Sequence, residues 1–187
     1  MNYHVFLRWA LIAVLSFVGA TICYQLGMID DMIAQDASKI SIVILAAYGI
    51  MTIICGKQSY KLSTLMHDKD LSANTSEKTE AIIEQVINVD LDEIRKGEET
   101  GWFIAKSFFS LGMIGTIIGF MMAFCGLADL DPSDVGNLKM FMGSMTNGIT
   151  TALITTLVGL SCGLLLQFQY YNLSHARRSI IEDKEEK

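Results

Sequence analysis

The residues of this chain whose type and spacing could do chemistry are threonines set beside glycines. Thr116 lies in Gly112-Met113-Ile114-Gly115-Thr116-Ile117-Ile118-Gly119, and Thr150, Thr151, Thr155 and Thr156 fall between Gly148 and Gly159. Hydroxyl oxygens can replace part of a cation's hydration shell, so threonines on facing helices can line a path for an ion. Small residues run beside them. Gly112, Gly115, Gly119, Ala123 and Gly126 step by three or four along one helical face, and Ala152, Thr156, Gly159 and Gly163 repeat the pattern. Gly115 with Gly119, and Gly159 with Gly163, are GxxxG elements, in which close backbone approach replaces a hydrophobic drive that lipid cannot supply. Two such faces in one short chain point to a tight oligomer.

The elements that carry these residues are uncharged apolar runs, residues 107–128 and 140–174. Each clears the roughly 20 residues that cross a bilayer. Two further apolar runs, 9–26 and 40–55, precede them. The second of these is short, and is expected to thin the bilayer or lean on snorkelling ends. With 187 residues, 51% of them hydrophobic, and a single proline in an acidic connection, the chain reads as an all-α membrane protein of four transmembrane helices. Arg8 ahead of the first run also fits a signal peptide, but the run is long for that role and is taken as a span.

Lysine and arginine orient the spans. Asp30, Asp31 and Asp36, and then Asp129, Asp131 and Asp134, mark two outward connections. Lys57, Lys61, Lys69, Lys78, Arg95 and Lys96 mark an inward one, and Arg177 and Arg178 follow the last span. Both termini are therefore expected in the cytoplasm, with helical extensions there. The expected organisation is a transmembrane hairpin over 1–56, a cytoplasmic helical connection over 57–101, a pore-forming hairpin over 102–176 and a charged cytoplasmic tail over 177–187.

Within the connection, Asn74 and Glu77 have capping-box spacing. Ile82, Ile83, Val86, Ile87, Leu91 and Ile94 then recur at helical spacing, predicting an amphipathic helix that runs to Gly97. Its stripe is expected to pack on another helix or subunit, or else to dock a cytoplasmic partner. Cys23, Cys55, Cys125 and Cys162 match no metal spacing and read as reduced packing residues. His175, Arg177 and Arg178 read as interfacial anchors. No nucleophile–base constellation is visible, so enzymatic chemistry is not expected. Proton relays and ion sites in membranes usually own an ionisable group, and the last two runs own none. Either this chain moves no ion, or a partner supplies the carboxylate.

The stretch Ile104-Ala105-Lys106-Ser107-Phe108-Phe109-Ser110-Leu111-Gly112-Met113-Ile114-Gly115-Thr116-Ile117-Ile118-Gly119 resembles a signature of the MotA/TolQ/ExbB family, roughly I-A-x-x-A-P-L-L-G-L-L-G-T-V-x-G. The run Gly148-Ile149-Thr150-Thr151-Ala152-Leu153-Ile154-Thr155-Thr156-Leu157-Val158-Gly159-Leu160 is similar to the other, G-I-x-x-A-L-x-x-T-x-x-G-L. The resemblance implies a homo-pentamer around single-span partner helices in the bacterial inner (plasma) membrane. The partner brings a membrane aspartate, and protons or sodium ions passing it drive motion. By position Thr116 and Thr156 match the family's pore threonines. The expected ion pathway is Thr116, Thr151, Thr155 and Thr156, with Gly112, Gly115, Gly119, Gly159 and Gly163 making helix-packing and partner contacts. The transported H+ or Na+ is the only small species implied, with no resident cofactor, no metal site and no nucleic acid.

Three positions depart from the family pattern. Phe109 stands where many members have proline, and Thr151 where the transport-energising branch has glutamate. Thr155 stands where proton-driven members often have alanine, so paired threonines resemble the sodium-driven flagellar type. A 45-residue connection is too short for the flagellar torque domain. Of a different class is a pore-forming or scaffold oligomer, holin-like, with no coupled partner. A classical secondary transporter lacks support, since no midplane charge or broken helix is evident.

Overall fold

The computed structural model describes residues 4–25, 27, 36, 38–72, 77–125, 127 and 135–185, with the side chains of residues 4, 5, 66–72, 77–88 and 180–185 left outside that description. Four helices make up the described elements: α1 (His4–Gln25), α2 (Ile40–Ser72), α3 (Glu77–Phe124) and α4 (Val135–Glu185). Each contains a stretch long and apolar enough to cross a membrane: Phe6–Gln25, Ile40–Leu65, Val89–Phe124 and Val135–Ser179. At 1.5 Å per residue, α3 and α4 run roughly 72 and 77 Å, more than twice a hydrocarbon core of about 30 Å. The two helices that carry the threonines therefore extend far beyond any bilayer they cross.

Two expectations change. The second span is not short, because the helix continues past Cys55 and its apolar stretch reaches Leu65. The amphipathic helix does not end at Gly97 but passes through Gly97 and Gly101 without interruption. Both glycines make room rather than stop the helix. A Cβ at Gly97 would overlap the Gln58 amide, and one at Gly101 would overlap the Tyr170 ring. The Asn74 cap and the side chains of Ile82, Ile83, Val86 and Ile87 lie outside the described residues. Leu91 and Ile94, from the same stripe, are buried.

That stripe is longer than its sequence suggests. Leu91, Ile94, Glu98, Gly101, Ala105, Phe108, Gly112, Gly115, Gly119 and Ala123 are all buried, at steps of three or four. This is the seam of a helix packed from Leu91 to Ala123. Its residues shrink from Leu and Ile to Gly and Ala toward the C-terminal end of α3, so the backbone of a partner helix can come closer there.

The chain forms two compact units: residues 1–18, 49–104 and 165–187, and residues 19–48 and 105–164. In the first, the Trp9 ring covers Gly56 and lies tilted against Phe6, which meets Tyr60 edge-on. Lys61 pairs with Asp90 at 3.0 Å and also with Glu93. Arg95 pairs with Asp92 and Glu99, and Lys96 with Asp92. Cys55 and Tyr170 are fully buried.

In the second unit, Asp36 caps the start of α2. Its carboxylate accepts hydrogen bonds from the Ser38 hydroxyl and from the backbone N–H groups of Ser38, Lys39 and Ser41. Such a cap satisfies helix donors that otherwise have no partner. Burial works against the charge, but these bonds outweigh it and hold the carboxyl below its ordinary range. The cap also holds Lys39 in a left-handed backbone conformation, φ 55°, which a non-glycine residue seldom adopts. Asp36 is thus a structural cap as well as a negative charge in its connection.

Candidate functional site

Within the second unit, α3 and α4 pack antiparallel through their small faces. From one end of the contact to the other, Gly163 faces Ala105, Gly159 faces Phe108 and Gly112, Thr155 faces Gly115, Ala152 faces Gly119, and Gly148 faces Ala123. The fit is tightest where backbone meets backbone. A Cβ at Gly119 would stand 2.6 Å from the Ala152 nitrogen and the Gly148 oxygen. One at Gly148 would stand 2.5 Å from the Ala123 nitrogen, and one at Gly159 would stand 2.7 Å from the Phe108 oxygen. Gly112 and Gly163 are looser, at 3.3 Å and 3.1 Å from the nearest backbone oxygen. All five glycines of the expected packing set therefore lie in this contact. Gly148 joins them, although the spacing pattern alone did not single it out.

The threonines cluster at one level of the hairpin but face different ways. Thr151 and Thr155 are fully buried. The Thr155 hydroxyl donates back to the Thr151 and Ala152 carbonyls at 3.0 and 3.1 Å, and its side chain lies against Gly115. Thr116 and Thr156 are half-buried. Thr116 donates to the Met113 carbonyl. Thr156 lies within bonding distance of its own helix at Ala152, 3.1 Å, and of Gly112 on α3, 3.2 Å. Its hydroxyl ties the two helices together.

The chemical consequence lies in where the protons go. A hydroxyl has one proton to donate and two lone pairs. In Thr116 and Thr156 that proton is committed to a backbone carbonyl, so each oxygen presents acceptor character to whatever approaches. Such oxygens suit a cation or the O–H of a neutral carboxylic acid, and offer nothing to a carboxylate. Residues 107–125 and 140–164 contribute no Asp, Glu, Lys or Arg. Groups of three or more His, Cys, Asp or Glu able to hold a metal do not occur among the described residues.

The family model described as the MotA/TolQ/ExbB proton channel family matches residues 57–186, more than two-thirds of the chain. The chain belongs to the MotA/TolQ/ExbB proton channel family. Neither a search of curated proteins nor one of solved structures returns a match. Membership, with four helices of spanning length, makes the protein a multi-pass membrane protein with an ion-channel role in an energy-transducing complex. Members of the MotA/TolQ/ExbB family build oligomeric channels with partner proteins. The family is one of channels and not a class of enzymes.

The sequence reading missed one pair. Arg177, read as an interfacial anchor, donates from Nε to the Glu98 Oε2 at 2.9 Å, and both side chains are largely buried, 14% and 9% exposed. Glu98 is the one acid on the α3 seam among the described residues. The signal that could have found it is the seam itself: Leu91 and Ile94 put Glu98 at the next core position. Cys55, Cys162, Cys23 and Cys125 are free thiols, the first two buried.

Proposed function

We propose that this protein is the channel-forming subunit of an ion-driven motor complex of the bacterial inner membrane. It forms a pentamer around the transmembrane helices of a single-span partner, with both termini cytoplasmic. The observation that supports this best is a hairpin tight enough to act as a rigid wall, with two half-buried hydroxyl acceptors and no charge of its own. The partner supplies an aspartate. In its neutral form that acid donates a hydrogen bond to Thr116 or Thr156. In its ionised form it finds no donor there and pays the cost of a charge in a poorly solvated site. Alternation between the two forms as ions bind and leave turns ion flow into motion of one ring against the other.

Thr151 and Thr155 serve this path from behind, by holding α4 against Gly115. Their burial favours the proton over sodium as the driving ion. A sodium site built on paired threonines needs the Thr155 oxygen, and that oxygen is turned into the hairpin. The exposed apolar side chains of the unit, Ile117, Phe120 and Met121 on α3 and Leu153, Leu157 and Leu164 on α4, are surfaces for lipid and for neighbouring copies.

Native mass spectrometry of the complex, drawn from its own membranes in mild detergent, tests the assembly. The expected species is a pentamer that retains a second protein with one apolar span and an aspartate in it. A homo-oligomer that retains no second protein, whatever the detergent, would favour the holin-like alternative.

A further inference from the structure

Among the described residues of the first unit, the solvent-facing cations fall into two sets. Lys61, Arg95 and Lys96 each pair with carboxylates of α3. Arg8 on α1, Lys57 on α2 and Arg178 on α4 are exposed and carry no ion pair among the described residues. These three share one level of the unit. Trp9 covers Gly56, which puts their chain neighbours Arg8 and Lys57 at one level of α1 and α2. Gln58 sits on Gly97, and the neighbouring Glu98 binds Arg177, next to Arg178.

The same level is where the exposed surface changes character. On α4, Leu164, Phe168, Tyr171, His175 and Arg178 follow one another on a single exposed face, with Tyr171 and His175 stacked. On α2, exposed Ile50 and Ile53 give way to Lys57 and Tyr60. On α1, Arg8 ends a run of exposed Leu11, Val14 and Leu15. On α4 the order is apolar side chains, then aromatics, then a cation, which is how a helix surface crosses from hydrocarbon into headgroups, and on α2 Lys57 follows the apolar residues directly with Tyr60 one turn beyond.

We propose that Arg8, Lys57 and Arg178 form a girdle that binds the phosphate groups of anionic phospholipids in one leaflet. Fixed cations at this level, without an ion pair among the described residues, find their counter-charge in the lipid. The aromatic rings beside them fit the glycerol and upper acyl region. The girdle sets the height of the helix bundle in the bilayer.

The test is retention of phosphatidylglycerol against phosphatidylcholine by the full chain in its assembled state, read by native mass spectrometry after delipidation and titration. The triple variant R8Q/K57Q/R178Q is compared with K61Q/R95Q/K96Q, which loses the same charge from the paired set. A cation at an anionic membrane surface contributes roughly a fivefold gain in binding, so the girdle variant is expected to lose about a hundredfold in preference for the anionic lipid. The paired-set variant is expected to stay near the parent. Each single substitution, at an exposed side chain, should lose about fivefold, which keeps the test alive if the triple variant does not assemble. Equal losses in the two triple variants would overturn the proposal, as would inorganic phosphate competing as well as the lipid. Dissociation of the girdle variant into monomers with unchanged lipid retention would also overturn it, assigning the cations to a neighbouring copy.

Discussion

Gly119→Val lowers the stability of the protein sharply, while Gly143→Ala leaves it unchanged or raises it. A side chain at Gly119 meets the Ala152 nitrogen and the Gly148 oxygen at 2.6 Å. Those are backbone atoms of a helix and cannot rotate away, so α3 and α4 must separate. Overpacking of this kind costs about 3 kcal/mol, or roughly 6–12 °C in Tm for a chain of this size. Gly143 has nothing within 4 Å of a Cβ, so replacing it with Ala recovers up to about 1 kcal/mol of helix propensity. Thermal unfolding of both variants in one detergent checks the pair. Equal Tm values would mean that the hairpin is not packed backbone to backbone.

Arg177→Met is expected to cost as much or more. It leaves the Glu98 side chain on a buried seam without its guanidinium partner, and breaking a buried pair from one side costs about 3–5 kcal/mol. Glu98→Gln alone strands the guanidinium and is costly for the same reason. The double variant E98M/R177M should recover much of the loss, because two apolar side chains of similar length restore packing without a charge. A double-mutant cycle on unfolding measures this coupling. Additive losses would show that the two side chains act independently.

How far the sequence carries depends on which face of a helix one asks about. The four helices and the glycine faces were legible because apolar runs and small-residue spacing are local signals. Gly97 was misread as a stop because a glycine that ends a helix and one that admits a neighbouring side chain look alike until the neighbour is known, here Gln58. Arg177 was misread because its partner lies 79 residues away in the chain. Thr155 lies against Gly115 and Thr156 reaches the Gly112 carbonyl, both close to Thr116 along α3. Which of them turn inward could not be read from sequence, because Thr155 and Thr156 are adjacent and only the position of Gly115 decides which one is covered.

The most direct test of the proposed ion path is proton flux through vesicles holding the chain with its co-purified partner, comparing wild type, Thr156→Ser and Thr156→Val. Serine keeps the acceptor oxygen and should conduct near the wild-type level. Valine keeps the shape and removes the oxygen, and loss of such a buried bonding partner costs about 1–3 kcal/mol, so flux should fall roughly five- to a hundredfold. Valine conducting as well as wild type would contradict a hydroxyl-lined path through this hairpin.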